Sequence, residues 1–144
     1  MTMRRLNLLV PVDGSVGAER AVDHAITLAN WGLVDQVHLL NAQYPLPGAV
    51  TTFVGSKAVS GYHHDEGMTA LAGARAKLDE AKVPYHVHIV VGQPAETIAA
   101  FCQELKSDAI VMGTRGLSKT AGIILGSVAR DVIAKAPVPV TVVK

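Results

Sequence analysis

The chain has 144 residues and a mass of 15.1 kDa, a size at which one domain over residues 1–144 buries roughly 68–70% of its unfolded surface. Apolar residues make up 49% and charged residues 17%, which excludes a disordered chain, and aromatics at 4% leave the core to Ala, Val, Ile and Leu. With 13 Lys and Arg against 12 Asp and Glu, the formal charge is +1 and no block of one sign stands out, which argues against a nucleic-acid-binding surface.

Arg4 and Arg5 lead straight into a short apolar run, which is not the pattern of a secretory signal, so a cytoplasmic protein is expected. Leu6 to Val12 reads as a strand buried on both faces, stopped by Asp13-Gly14-Ser15, residues that suit a turn and a helix start. Ala18, Ala21, Val22, Ala25, Ile26 and Ala29 then follow helical spacing, with an end near Asn30-Trp31-Gly32. Val37 to Ala42 reads as the second strand. The charge-free stretch between Asp35 and Lys57 is not a membrane span, because it holds His38, Asn41, Gln43, Pro45 and Pro47. From about Gln43 to Tyr62, the prolines together with Gly48, Gly55 and Gly61 predict a loop longer than the roughly 12–15 residues usual in a compact domain.

A helix containing Met68, Leu71 and Leu78 follows. In Tyr85 to Val91, Val87, Ile89 and Val91 alternate with His86 and His88, which predicts a third strand at a sheet edge. Ala95 to Leu105 reads as a helix burying Ile98, Phe101, Cys102 and Leu105. Cys102 is the only cysteine; it excludes an intrachain disulfide and a thiolate zinc site, and reads as a small core hydrophobe. Ala109 to Met112 is a short buried strand, Ser127 to Ala134 a helix with Ala129, Val132 and Ile133 inward, and Val138 to Val143 a last strand. Pro139, which cannot donate a ladder hydrogen bond, places that strand at an edge.

Strict alternation of strand and helix predicts an α/β fold: a single-domain open five-stranded parallel sheet with helices on both faces. The apolar first and fourth strands belong inside and the third and fifth outside, giving the order 3-2-1-4-5. Ligands of such sheets bind at the topological switch point, here between the carboxyl ends of strands one and four. That singles out Val12, Asp13, Gly14 and Ser15, and the segment from Gly113 onward.

After strand four the chain reads Gly113-Thr114-Arg115-Gly116, nine further residues, then Gly126-Ser127-Val128 opening the last helix. Glycines let backbone amides approach an anion, and a Gly-Ser helix start adds amides, a hydroxyl and the positive end of the helix dipole. The same glycines also serve as plain turn formers. A Walker A motif would need glycine before Lys119, where Ser118 stands, and no G-x-G-x-x-G occurs.

The pattern Gly113-x2-Gly116-x9-Gly126-Ser127, with Val10-Pro11-Val12-Asp13-Gly14-Ser15, Gly92-Gln93-Pro94 and the terminal Pro137 to Val143, resembles the ATP-binding branch of the universal stress protein family over the whole chain. The resemblance implies a Rossmann-like, adenine nucleotide alpha hydrolase-like fold that binds ATP, or ADP or AMP, with Mg2+. It implies that Pro11, Val12 and Asp13 lie against ribose and adenine, that Ala42 offers a backbone contact to adenine, and that Met112 sits beside the nucleotide. Gly113, Arg115 and Gly116 would line ribose and phosphates, and Gly126, Ser127 and Val128 would hold the phosphate tail. Asn41 departs from the histidine common in the family before the adenine contact, which blurs base preference. Asp13 also suits the capping of the first helix, and both uses can coexist. Arg115 reads equally as a solvated loop cation.

His63, His64 and Asp65, and separately His86 with His88, suggest metal ligands, but neither set has the further partners a site needs. No G-x-S-x-G elbow occurs, and Asp13 alone does not supply a phosphoryl-transfer centre. The favoured reading is a nucleotide-binding regulatory or stress-response protein; the alternatives are a weak ATPase or other nucleotide-transforming enzyme, and a response-regulator-like switch, which lacks its acidic cluster. Val138, Val140 and Val142 on an edge strand, with the family resemblance, imply a homodimer through residues 138–143.

Overall fold

In the computed structural model, residues 3–48, 55–114 and 125–144 are described. The elements are β1 (Leu6–Pro11), α1 (Val16–Asn30), β2 (Val34–Gln43), α2 (Ser56–Glu80), β3 (His86–Val91), α3 (Pro94–Glu104), β4 (Ala109–Gly113), α4 (Ser127–Lys135) and β5 (Val140–Val143). All strand pairs are parallel and the order is β3-β2-β1-β4-β5, as the alternation predicts.

Side chains along a strand alternate between faces, and here both faces are covered. Leu8, Val10, Val37, Leu39 and Val111 point to the layer of α1 and α2, where Ala18, Ala21, Val22, Ala25, Leu71, Ala74 and Leu78 meet them. Leu9, Leu40, Ile110 and Met112 point to α3 and α4, against Ile98, Cys102, Ala129 and Val132. Each large aliphatic side chain buried this way contributes about 1.5–3 kcal/mol relative to exposure. The small residues of α1 bring its backbone close to the sheet, and Ser15 starts the helix by accepting from the Ala18 amide at 3.1 Å. Cys102 is buried as expected, and burial raises its thiol pKa, a state in which it is a poor nucleophile.

Three element starts and the facing of one side chain depart from the sequence expectations. β2 begins at Val34, not Val37, because Leu6 pairs with Val34 and its amide bonds the Leu33 carbonyl, although Asp35 and Gln36 are exposed. α2 begins at Ser56, so Gly61 and Tyr62 are helical and the loop ends earlier; His63, Gly67, Leu71, Ala74 and Leu78 form its buried stripe. β5 begins at Val140: Pro139 cannot donate, and only its carbonyl joins the sheet, accepting from Ile110 at 3.0 Å. Ile133 is 47% exposed, not inward, because α4 turns Ala129 and Val132 to the sheet and Ile133 lies one residue further round.

Gly113 ends β4 against the start of α1. A Cβ there would come within 2.6 Å of the Gly17 carbonyl carbon and 2.7 Å of its oxygen, so two glycine backbones set this approach.

On the α3 side of the sheet, His38, His86 and His88 form a cluster next to Phe101. His38 and His86 stack at 4.8 Å, and a ring nitrogen of His38 lies 2.9 Å from one of His88. His38 also bonds Gln36 at 3.1 Å. One of the two nitrogens in the His38–His88 bond must be bare, so the pair cannot hold full charge on both rings and keep the bond. Stacked rings do not converge on a point, and among the described residues no three His, Cys, Asp or Glu side chains are placed to hold a metal ion.

Burial, then the charges of His86 and His88, lowers the pKa of His38; burial, then His86, lowers that of His88, opposed by Glu104. The unfolded chain therefore takes up protons first as pH falls below the ordinary value of 6.5. The contribution of His38 and His88 to stability is therefore flat above neutrality and declines as pH drops from about 7 toward 5. Urea midpoints at pH 7.5 and 5.5 should show this decline, and His88→Gln should reduce it; an equal decline in the variant would assign it to other groups.

Gly113→Ala should cost about 1–3 kcal/mol by overpacking. At about 2–4 °C per kcal/mol for a chain of this size, thermal unfolding reads the change directly, and an unshifted midpoint would contradict the close approach.

Candidate functional site

β1, β2 and β4 all end at one edge of the sheet, and their carboxyl ends bring the predicted residues together. Pro11 closes β1; Val12 is buried and its amide bonds the Leu40 carbonyl at 2.9 Å, which extends the β1–β2 ladder one step past the strand. Asp13 is exposed beyond it. One carboxylate oxygen of Asp13 accepts from the Ser15 amide at 2.9 Å, and Gly14 between them takes φ +88°, a backbone suited to glycine. Asp13 thus shapes the turn that presents Ser15 as the helix cap, while its other oxygen bonds no described residue. The carboxylate supports the turn, and the cap itself is Ser15.

Ala42 lies near the end of β2, half-buried, opposite Val90 of β3. Beside it Asn41 is buried and donates to the Val12 carbonyl at 2.8 Å, while its own oxygen accepts from Gln43 at 2.6 Å. The amide ties the tips of β1 and β2 together. Sequence reasoning treated Asn41 only as a departure from a family pattern; its short polar side chain in an apolar strand was the available signal that it bonds backbone.

Met112 is buried and Gly113 half-buried at the end of β4. Thr114 then turns the chain: its amide bonds the Val143 carbonyl at 3.1 Å and its carbonyl accepts from the Gly126 amide at 2.6 Å. That second bond brings the start of α4 beside the end of β4. Arg115 and Gly116 lie outside the described residues. Gly126 is the residue before α4, with no side-chain cap and no acid in the first turn, and Ser127 is exposed. Among the described residues the first amides of α4 therefore meet no acceptor, and they lie at the positive end of a helix dipole, as an anion site requires. Val128 faces the α3–α4 core and anchors that end. Lys135 pairs with Glu96 at 2.7 Å on the surface, far along α4 from these amides.

The structure thus gathers Pro11, Val12, Asp13, Ala42, Met112, Gly113, Gly126, Ser127 and Val128 along the switch-point edge. Of the histidines singled out in the sequence, none belongs there. His63 is buried in α2 and His64 beside it is exposed.

The sequence model of the universal stress protein family matches residues 5–144. Universal stress protein MJ0531 of Methanocaldococcus jannaschii is 34% identical over 145 residues, covering 95% of this chain and 81% of that protein. A universal stress protein solved in complex with cAMP superposes with a TM-score of 0.72 at 28% identity, covering 96% of this chain and 97% of the other. The universal stress protein from Archaeoglobus fulgidus in complex with dAMP gives 0.66 at 28% identity, with 99% and 100% covered. With a family match over nearly its whole length, and the sheet order and glycine-bounded edge just described, the chain belongs to the universal stress protein family.

Proposed function

We propose that this protein binds an adenine nucleotide, ATP or else ADP or AMP, with Mg2+, at the carboxyl edge of β1 and β4, and acts as a cytoplasmic regulatory protein rather than an efficient enzyme. The observation that carries the reading is the bond from the Gly126 amide to the Thr114 carbonyl, which sets the uncapped start of α4 beside Gly113. Open amides there suit a phosphate tail, and the close packing of Gly113 on Gly17 holds the end of β4 against the start of α1. Relatives bound to cAMP and dAMP support an adenine ligand. Asp13 has one carboxylate oxygen engaged by Ser15 and the other free of described partners, which suits a ribose hydroxyl or a divalent cation near the phosphates. Val12 and Met112 supply an apolar surface for a base, and Ala42 a strand-end backbone. Arg115 and Gly116 complete the phosphate loop in this reading. Regulation follows if bound nucleotide changes a surface that another macromolecule reads.

A homodimer through residues 138–143 belongs to the same reading. β5 pairs with β4 on one side only, its outer edge carries half-buried Val140 and Val142, and Ile133 is exposed on α4. An unpaired edge flanked by apolar side chains is a surface that pairing with a second copy would cover.

Calorimetry with ATP and Mg2+ should give saturable binding, weakened at least about tenfold by Gly116→Glu, which corresponds to about 1.4 kcal/mol. No binding of ATP, ADP or AMP, or equal affinity in the variant, would reject the site. Sedimentation should show a dimer at micromolar concentration that Val140→Lys weakens, and a wild-type monomer would remove the dimer.

A further inference from the structure

A cavity of about 360 Å3 lies between the first turns of α2 and the β3 edge of the sheet. Leu46, Val59, Ile89 and Val91 give it apolar walls, and Ser60, His63 and His64 are its polar contributors. Neither a carboxylate nor any residue of the nucleotide edge lines it. Its size falls in the range of roughly 300–1,000 Å3 of small-molecule sites, which are mostly apolar with a few placed polar groups.

His63 is the unusual member. It is only 4% exposed, yet neither ring nitrogen has a hydrogen-bond partner among the described residues, and its ring contact is the edge-on Tyr62 at 5.3 Å. The other buried histidine, His38, uses both nitrogens. Buried polar atoms are nearly always satisfied, so an unpartnered imidazole in a cavity wall calls for a partner from the cavity. An imidazole in either protonation state keeps an N–H to donate, so that partner must present an acceptor. The start of α2 adds to this preference: it has no side-chain cap and no acid in its first turn, so the helix end beside the cavity is positive.

We propose that the cavity binds a small monocarboxylic acid with an apolar body. The carboxylate accepts from His63, with His64 and Ser60 at the rim, and the hydrocarbon packs on Val59, Ile89 and Val91. The site operates independently of the nucleotide edge.

Octanoate titrated into the isotope-labelled full chain, followed by NMR, tests this. The expected result is saturable change in the amides of residues 59–64 and 89–91 and in the His63 ring nitrogens, with a dissociation constant near ~1 mM or tighter. His63→Phe, which keeps a ring of similar shape, should weaken octanoate binding by about tenfold or more, and Val59→Trp, which fills the cavity, should abolish it. Both variants should bind ATP as the wild type does. Absence of saturable change, changes centred on Val12, Asp13 and Met112, or undiminished affinity in His63→Phe would each overturn the proposal. Failure of ATP binding in the wild type would leave these octanoate readings intact, so the two sites are judged separately.

Discussion

Leu8, Leu9 and Val10 have no solvent exposure, and that can be achieved only if β1 is covered on both faces and paired on both edges. The remaining architecture follows from this constraint. Three consecutive apolar residues alternate in direction, so Leu8 and Val10 need one helical layer and Leu9 another. A right-handed crossover to a parallel neighbour lays each connecting helix on one face, and reversing the direction of winding after β3 moves the next helices to the other face. β1 is where the two directions meet. The connections from β1 and β4 leave to opposite sides, and the gap between them is the cleft where Val12, Asp13 and Gly113 emerge.

Much of this was legible in the residues because central parallel strands leave an unmistakable mark. The nearly continuous apolar run at Leu6 to Val12, broken only by Asn7, and the run at Ala109 to Met112 mark doubly covered strands, while His86 and His88 alternating with Val87 and Ile89 mark an outer one. The misplaced boundaries share a cause: they are fixed by backbone hydrogen bonds that hydrophobicity does not report. Asp35 and Gln36 extend β2 with polar, exposed side chains, and Ser56 to Tyr62 are helical with an exposed, glycine-containing face. Ile133 failed for a different reason. In a helix of nine residues, a rotation of 100° per residue decides between core and solvent, and adjacent Val132 and Ile133 cannot both face the sheet.

At the carboxyl edge of β1 and β4, residue types were readable and their linkage was not. Glycine at 113 and 126 announced backbone approach, but the contact that makes Gly113 obligatory is with Gly17, almost a hundred residues earlier. Asn41 likewise gains its meaning from the Val12 carbonyl across the sheet. Its amide secures the tip of β1, and the Ser15 cap and the Asp13 turn secure the entry to α1, so the exposed Asp13 carboxylate stands on a rigid support. Asp13 and the start of α4 are thus each fixed by bonds to the chain that flanks them, Asp13 through the Ser15 amide and α4 through the Gly126 amide on Thr114.

The two histidine environments show how the same side chain takes opposite roles on the two faces of the sheet. His38, on the α3 side, is enclosed with Gln36, His86 and His88, each bond has a protein partner, and the consequence of protonation is lost stability. His63, on the α2 side, is as deeply enclosed but bonded to nothing, beside a cavity rather than a cluster. A satisfied buried polar group gives the fold specificity, whereas an unsatisfied one costs about 1–3 kcal/mol until something occupies the space beside it. That cost is tolerable here because α2 is anchored elsewhere: Leu71, Ala74 and Leu78 along its C-terminal half are fully buried, and Gly67 lets Ile89 pack directly on the helix. The N-terminal turns of α2 are therefore held in place by their own helix while the pocket under them stays open, a division of labour that makes the β3 edge a place where a ligand can bind without first rebuilding the core.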